Sequence, residues 1–322
     1  MTSTQIEKAL AAAVLAPSPH NTQPWLFEVG AGYVDLVLDE SRILPVADPH
    51  GREARMACGA ALLNMRLSLR SQGLHVHWKL LPDPGRPALL ARLRVGGLEA
   101  PQSDEQLLAA AIPRRHTNRR PFREEPVPVA VRRTLRQAAL REGAHLMVVE
   151  DPARYGAIAR VLRLAEFTQR QDPGFQSELA KWLSREPARP DGVPLLAGGP
   201  PPVTEPLVLL REYGASEGKA PREYEQEPLL AIVVTPHDTP RDHLRSGQAM
   251  QRVLLAATAC GLSASFLSAA VELSPSRASL RTVLDGEGYA QTILRLGYSD
   301  AVPQTRRRPV SAVSTNAHRV DG

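Results

Sequence analysis

The residues best suited to chemistry stand at positions 16–25, APSPHNTQPW. Ser18, His20, Asn21, Thr22 and Gln23 lie among three prolines and Trp25, a composition that does little for an apolar core. Pro17, Pro19 and Pro24 fix their own φ and push the residues before them toward extended backbone, so the polar groups can be held without a helix around them. Two readings fit: a rigid turn that presents polar groups, or a helix-to-strand connector whose side chains cap backbone groups. A second cluster follows in mid-chain, Arg114-Arg115-His116-Thr117-Asn118-Arg119-Arg120-Pro121-Phe122. Its crowded arginines repel one another unless they are solvated or face an anion. A phosphate monoester fits, because guanidinium forks bind it bidentately while Thr117 or Asn118 binds an adjacent polyol. A solvated basic loop fits as well. The third cluster, Arg306-Arg307-Arg308-Pro309, taken alone reads as a surface tail.

The chain that positions these groups has 322 residues, 43% hydrophobic and 23% charged, which suits one large domain or two fused units. Its net charge of +5 comes mostly from arginine, the side chain suited to phosphate or carboxylate. Nucleic acid is disfavoured, since the arginines are spread out and only six Tyr and five Phe are available for stacking. Cys58 and Cys260 make neither a disulfide framework nor a metal cluster and are expected as buried thiols in a reducing cytoplasm. His75 and His77 share one face of a strand without a Cys or acidic partner close in sequence, so no metal site is expected. There is no G-x-G-x-x-G and no P-loop lysine, which argues against a separate nicotinamide-binding fold. Residues 9–16 imitate a signal-peptide core, but Thr4 and Glu7 form a capping-box pattern and Ile6, Leu10, Ala13 and Val14 share a helical face. No apolar run is long enough to span a bilayer, and a cytoplasmic protein is expected.

Periodicity predicts a helix over 4–15, a strand pair over 26–38, a long helix over 52–71 and strands over 75–80 and 89–95. The same order recurs as a helix over 129–141, a strand over 144–149, a long helix over 241–260 and a strand over 290–296. Gly59, Leu62 and Gly73-Leu74 match Gly247, Met250 and Gly261-Leu262, all at a spacing of 188 residues. We read this echo as two tandem α+β halves, 1–110 and 111–322, joined as an intrachain pseudo-dimer with a ligand cleft at their interface. The basic arm lacks a counterpart in the first half, so one site per chain is expected. The second half also carries an insertion near 152–227. Its middle, 187–206, holds a Gly-Gly-Pro-Pro-Pro run that cannot be regular helix or strand, as in a lid or a linker.

APSPHNTQPW, RHTNRRPF and the ending LRLGY…RRRP resemble three signature segments of the nitroreductase-like flavoprotein superfamily: an S-x-x-N-x-Q-P-W turn, a basic arm, and a G-Y-P…R region. Their order resembles the Acg-type subfamily, single-chain fusions of two nitroreductase-like halves. The resemblance implies an α+β nitroreductase-like fold with mixed or antiparallel sheets, long central helices and FMN at the interface of the halves. It places Arg115 and Arg306 or Arg308 on the phosphate and Thr117 on the phosphate or ribityl chain. Arg119 falls near flavin N1 and the C2 carbonyl, with His116 and Asn118 in the same arm. Pro17, Ser18, Pro19, His20 and Asn21 would line the pyrimidine edge. Leu267, Ser268 and Ala269 correspond to the segment whose backbone N–H meets flavin N5, although Ser268 and Ala269 stand where many members have Glu-Gly. Pro19 and His20 also depart from the small hydroxyl residues common in the turn.

The function so implied is NAD(P)H-dependent reduction, through flavin N5, of a small aromatic or quinone-like acceptor, with NAD(P)H docking transiently on the flavin face. His20 is the only side chain singled out as a proton donor. The alternative is a protein that stores or sequesters FMN under a lid without turnover, since fold alone does not settle function.

Overall fold

The computed structural model describes residues 2–316 apart from 187, 209, 212, 214–219, 226, 301 and 303, and of residue 196 only the backbone. Parts of the predicted insertion and residues 317–322 of the second half therefore lie outside the described residues. In chain order come α1 (Ser3–Ala13), β1 (Trp25–Gly30), β2 (Tyr33–Leu38), α2 (Arg52–Ser71), β3 (Leu74–Leu80) and β4 (Leu89–Leu98). Then follow α3 (Ser103–Ala111), α4 (Val129–Leu140), β5 (His145–Val148), α5 (Pro152–Gln171), α6 (Pro173–Trp182), β6 (Leu183–Ser184) and β7 (Val193–Pro194). The rest is β8 (Leu229–Thr235), α7 (Pro240–Ala259), β9 (Ser263–Phe266), α8 (Ala269–Glu272), α9 (Ser274–Val283), β10 (Tyr289–Gly297) and β11 (Ser314–Asn316).

Two sheets flank a central helical layer. One has the order β11-β1-β2-β4-β3, antiparallel except that β11 runs parallel to β1; the other, β5-β8-β10-β9, is antiparallel throughout. Helix α2 packs on the first sheet and α7 on the second, and the two helices pack against each other. Strand β8 shows why the second sheet is covered on both faces: Ala231 and Val233 join the central core, while Leu230, Ile232 and Val234 join a second core with α5, α8 and α9. The described residues contain no helix long and apolar enough to cross a membrane.

The 188-residue spacing reappears as contact geometry. A Cβ placed on Gly59 would clash with the Leu244 carbonyl, and one on Gly247 with the Met56 carbonyl, so α2 and α7 cross backbone to backbone at reciprocal positions. Arg55 Nε donates to His243 Nδ1 at 3.2 Å across the same crossing.

Several expectations are corrected. The α1 capping box is made by Thr2 and Gln5, not Thr4 and Glu7: Gln5 N–H donates to Thr2 Oγ1 at 3.3 Å and Thr2 N–H to Gln5 Oε1 at 2.8 Å. Cys58 is buried, with its thiol on the Pro24 carbonyl at 3.2 Å, but Cys260 is exposed because it is the C-cap of α7. His75 does have an acidic partner, Glu99, brought alongside because β4 ends next to the start of β3. The insertion opens with two regular helices, α5 and α6, each begun by an Asp-Pro pair whose Asp side chain caps the first turn.

Candidate functional site

The turn after α1 is bent sharply. His20, Asn21 and Gln23 have φ of 46°, 58° and 54°, a left-handed conformation that costs roughly 1–3 kcal/mol per non-glycine residue. Side-chain bonds hold it there. Gln23 N–H donates to Ser18 Oγ at 2.9 Å, and Asn21 Nδ2 donates to the carbonyls of Gly192 and Arg306 at 3.0 and 3.1 Å. Gln23 Nε2 reaches Pro190 O at 2.9 Å while its Oε1 accepts from Arg308 N–H at 2.8 Å. The two carboxamides therefore clamp the turn between the insertion and the C-terminal segment, and the His20 ring is left facing a cavity.

The basic arm is docked along the edge of β9. Thr117 bridges to Ala264, and Asn118 N–H donates to Ala264 O at 2.8 Å. Tyr224 from the insertion donates its hydroxyl to the carbonyls of Arg119 and Pro200 at 3.3 and 2.9 Å. Arm and turn so face each other across a cleft. Its walls are Pro17, Ser18, Pro19, His20 and Asn21 from the turn, with Arg115, His116, Thr117 and Arg119 from the arm. Phe266 at the end of β9 and Ser268 just after it, Val193, Arg211 and Tyr213 from the insertion, Glu53, Met56 and Ala57 of α2, and Arg307 complete much of the lining.

Five of the expected residues do not line this cleft. Asn118 is spent as a strut, its Nδ2 donating to Ser263 Oγ and Asp300 O at 3.2 and 2.9 Å. Leu267 and Ala269 belong to the second core, and the Leu267 N–H is taken by Ile293 O at 3.0 Å. Arg308 turns to the Ala312 carbonyl and Asp39, and Arg306 contributes its carbonyl to Asn21. The arginine that faces the cleft is the one between them, Arg307.

Arg115 is buried and Arg307 half-buried, and among the described residues both bond only to backbone carbonyls. Arg115 Nη2 meets Leu15 O at 3.2 Å and Arg307 Nε meets Ala16 O at 3.3 Å, while Arg115 Nε has no hydrogen-bond partner. Burial, reinforced by the neighbouring Arg307, pushes Arg115 down to about 9, and burial pushes Arg307 down to about 10. Two guanidinium groups brought together in this way ask for an anion. Arg119 stacks over the Tyr213 ring at 4.2 Å.

The cleft also holds two carboxyl groups of opposite character. Glu272 receives the Arg211 fork at 2.6 and 3.1 Å and Gln169 Nε2 at 2.6 Å, which outweighs burial and holds it below the ordinary carboxylate range. Among the described residues the Glu53 carboxyl has one bond, from Arg52 Nη2 at 3.1 Å, and burial together with the charge of Glu272 pushes it up to about 8. His20 is pushed down to about 3 by burial and by Arg211, and both of its ring nitrogens lack partners. At neutral pH it is an uncharged imidazole, so it is no imidazolium acid. Glu53 and Arg211 were not singled out by sequence; their signal lies in burial and pairing, which spacing does not carry.

The buried polar side-chain atoms without a partner concentrate at this cleft: both His20 nitrogens, Asn21 Oδ1, Glu53 Oε2 and Arg115 Nε. Such orphans are costly in a closed core and are explained where a ligand satisfies them.

No protein-family model matches the chain. Over 315 residues it is 33% identical to the Mycobacterium tuberculosis H37Rv protein named "Putative NAD(P)H nitroreductase Rv3131", which covers 96% of this chain and 90% of that protein. Over 320 residues it is 28% identical to "Putative NAD(P)H nitroreductase acg" of the same strain, covering 97% and 96%. A solved nitroreductase with bound FMN from Desulfitobacterium hafniense DCB-2 aligns with a TM-score of 0.40 and 14% identity over 66% of this chain and 98% of that one. That likeness is too distant to transfer residues.

Proposed function

The chain belongs to the nitroreductase-like family of these mycobacterial relatives, and we propose that it is an FMN-dependent NAD(P)H oxidoreductase acting on a small aromatic or quinone-like acceptor. The observation that carries the cofactor is the pair Arg115, buried, and Arg307, half-buried, which among the described residues bond only to backbone carbonyls, in a cleft rich in unsatisfied polar atoms. These residues fit an FMN phosphate, with Arg307 in the place the resemblance gave to Arg306 or Arg308. Thr117 would bind the phosphate or ribityl chain, Arg119 the N1 and C2-carbonyl edge, and Pro17, Ser18, Pro19, His20 and Asn21 the wall beside the pyrimidine. His20, uncharged, would serve there as a hydrogen-bonding group. Bound flavin supplies two-electron hydride chemistry, while the protein supplies position and electrostatics. A cation at Arg119 favours the anionic reduced form of such a ring.

The two-half organisation, 1–110 and 111–322, with a single site between the halves, forms part of the proposal. It is supported by the reciprocal approach of Gly59 and Gly247. A second reading, storage of FMN under a lid, is favoured by the insertion: Arg211 and Tyr213 face the cleft, and Arg211 is latched to Glu272. The purified protein, given FMN and then NADH or NADPH without oxygen, separates the two. Bleaching of the flavin spectrum is the expected result. Flavin that binds and stays oxidised leaves storage, and a chain that binds none refutes both.

A further inference from the structure

Beside His20 the cleft is lined by two carboxyl groups, Glu53 and Glu272, that lie outside the family motifs. Glu53 stands in the first turn of α2, lines the cleft, and has Oε2 buried without a hydrogen-bond partner. Its one neighbour in bonding, Arg52, is shared: Arg52 Nη1 donates to Gln291 O at 2.6 Å and Nη2 to Val271 O at 3.1 Å. The groups that act on Glu53 are Glu272 from α8, Arg52 from the start of its own helix, Asp48 from the turn before that helix and Arg211 from the insertion. Arg211 is bonded to Glu272 at 2.6 and 3.1 Å and makes no hydrogen bond to Glu53, so Glu272 keeps its charge while Glu53 has Arg52 alone as a bonded cation among the described residues. Two carboxyl groups in one cavity with environments that push them apart make an acid and an anion.

We propose that Glu53 supplies, from its buried Oε2, the proton that a hydride acceptor in this cleft requires. The proposal rests on the oxidoreductase reading above. In the reduction of a quinone, NAD(P)H gives up a hydride, two electrons with one proton, and becomes NAD(P)+. The acceptor gains that hydride equivalent and one further proton to become the hydroquinone. The second proton comes from Glu53: its O–H bond breaks, an O–H bond forms on the acceptor oxygen, and Glu53 is left as a carboxylate. That carboxylate lies beside charged Glu272 in a buried site, which favours its reprotonation from solvent before the next turnover. His20 does not compete for this role, because the imidazole is already uncharged at neutral pH.

The test is Glu53→Gln in the full chain, which keeps the shape of the protonated acid and removes its proton. In the wild type an infrared carbonyl band of a protonated carboxyl should titrate away with a midpoint near 8, and the variant should lack it. With FMN loaded, reduction by NAD(P)H and flavin occupancy should match the wild type, while reoxidation by a quinone at neutral pH should slow by about 100-fold. Reoxidation at the wild-type rate with an unchanged pH profile overturns the proton role and leaves the oxidoreductase reading intact. A wild type without the titrating band overturns it as well. A chain that takes up no flavin overturns the functional reading and this proposal together.

Discussion

Arg115 and Arg307 feel burial with no carboxylate offsetting it among the described residues, and Arg115 feels the charge of Arg307 as well, so without an anion the cleft is a worse place for them than water. An arriving phosphate reverses this, converting mutual repulsion into charge-assisted hydrogen bonds of roughly 1.5–3 kcal/mol each. Stability and binding should therefore part company at these residues. Arg115→Met is expected to leave the thermal midpoint of the flavin-free protein equal to or above that of the wild type, and to weaken FMN binding by about 10- to 100-fold. Calorimetry without flavin and a fluorescence titration with FMN check the two halves; a variant destabilised without flavin yet binding it normally would contradict the assignment. An anion was legible in the sequence as one of two readings of the crowded arginines, the other being a solvated loop. Which of Arg306, Arg307 and Arg308 serves that anion was not. In an extended segment neighbouring side chains point to opposite sides, and the register here is fixed by Asn21 and Gln23, which bond to the backbone of Arg306 and Arg308 and leave Arg307 to the cleft. Those bonds span 285 residues of chain, a relation that local spacing does not contain.

Among the elements, the crossing of α2 and α7 fixes the distance between the turn and the arm, because each helix carries one sheet. The close approach requires Gly59 and Gly247, whose missing side chains let each helix rest on the other's carbonyl. Gly59→Ala or Gly247→Ala should cost about 1–3 kcal/mol by forcing the helices apart, read as a lower denaturation midpoint, and should loosen FMN binding although neither residue faces the cleft. Equal stability and affinity in both variants would show that the crossing has slack. These helices were legible to within a residue or so, as their 3.6-residue pattern is long and their ends are marked by Gly73 and Gly261 at φ of 77° and 79°. Strand β8 was missed, although LLAIVVT is an apolar run bounded by Pro228 and Pro236, because a strand covered on both faces shows no alternation to read. Strand β11 was missed for another reason: three residues carry almost no local signal, and its partner β1 lies at the other end of the chain.

The whole molecule assembles a charge balance that no single element contains, with His20 from the turn, Glu53 from α2, Arg211 from the insertion and Glu272 from α8. Its consequence is a definite dependence of stability on pH. His20 titrates at about 3 in the folded chain against 6.5 when unfolded, so between those values the unfolded chain binds the extra proton and stability rises with pH. Glu53 titrates at about 8 folded against 4.5 unfolded, so in that interval the native chain holds the extra proton and stability falls as pH rises. Between 4.5 and 6.5 the two oppose each other, which leaves a gain on the acid side and a loss between 6.5 and 8. Glu272, held charged by Arg211 against the cost of its burial, adds to the acid limb. The flavin-free wild type is therefore expected to be most stable across that middle interval and to lose up to about 2 kcal/mol, roughly 3 °C for a chain of 322 residues, on going to pH 8. Glu53→Gln should remove this alkaline loss, and His20→Asn should shrink the acid one. Scanning calorimetry from pH 3 to 8 on the three proteins decides it. If wild type and Glu53→Gln run parallel above pH 6.5, Glu53 holds no proton in the native state; if they diverge there, the cleft keeps an acid where an ordinary glutamate would be charged.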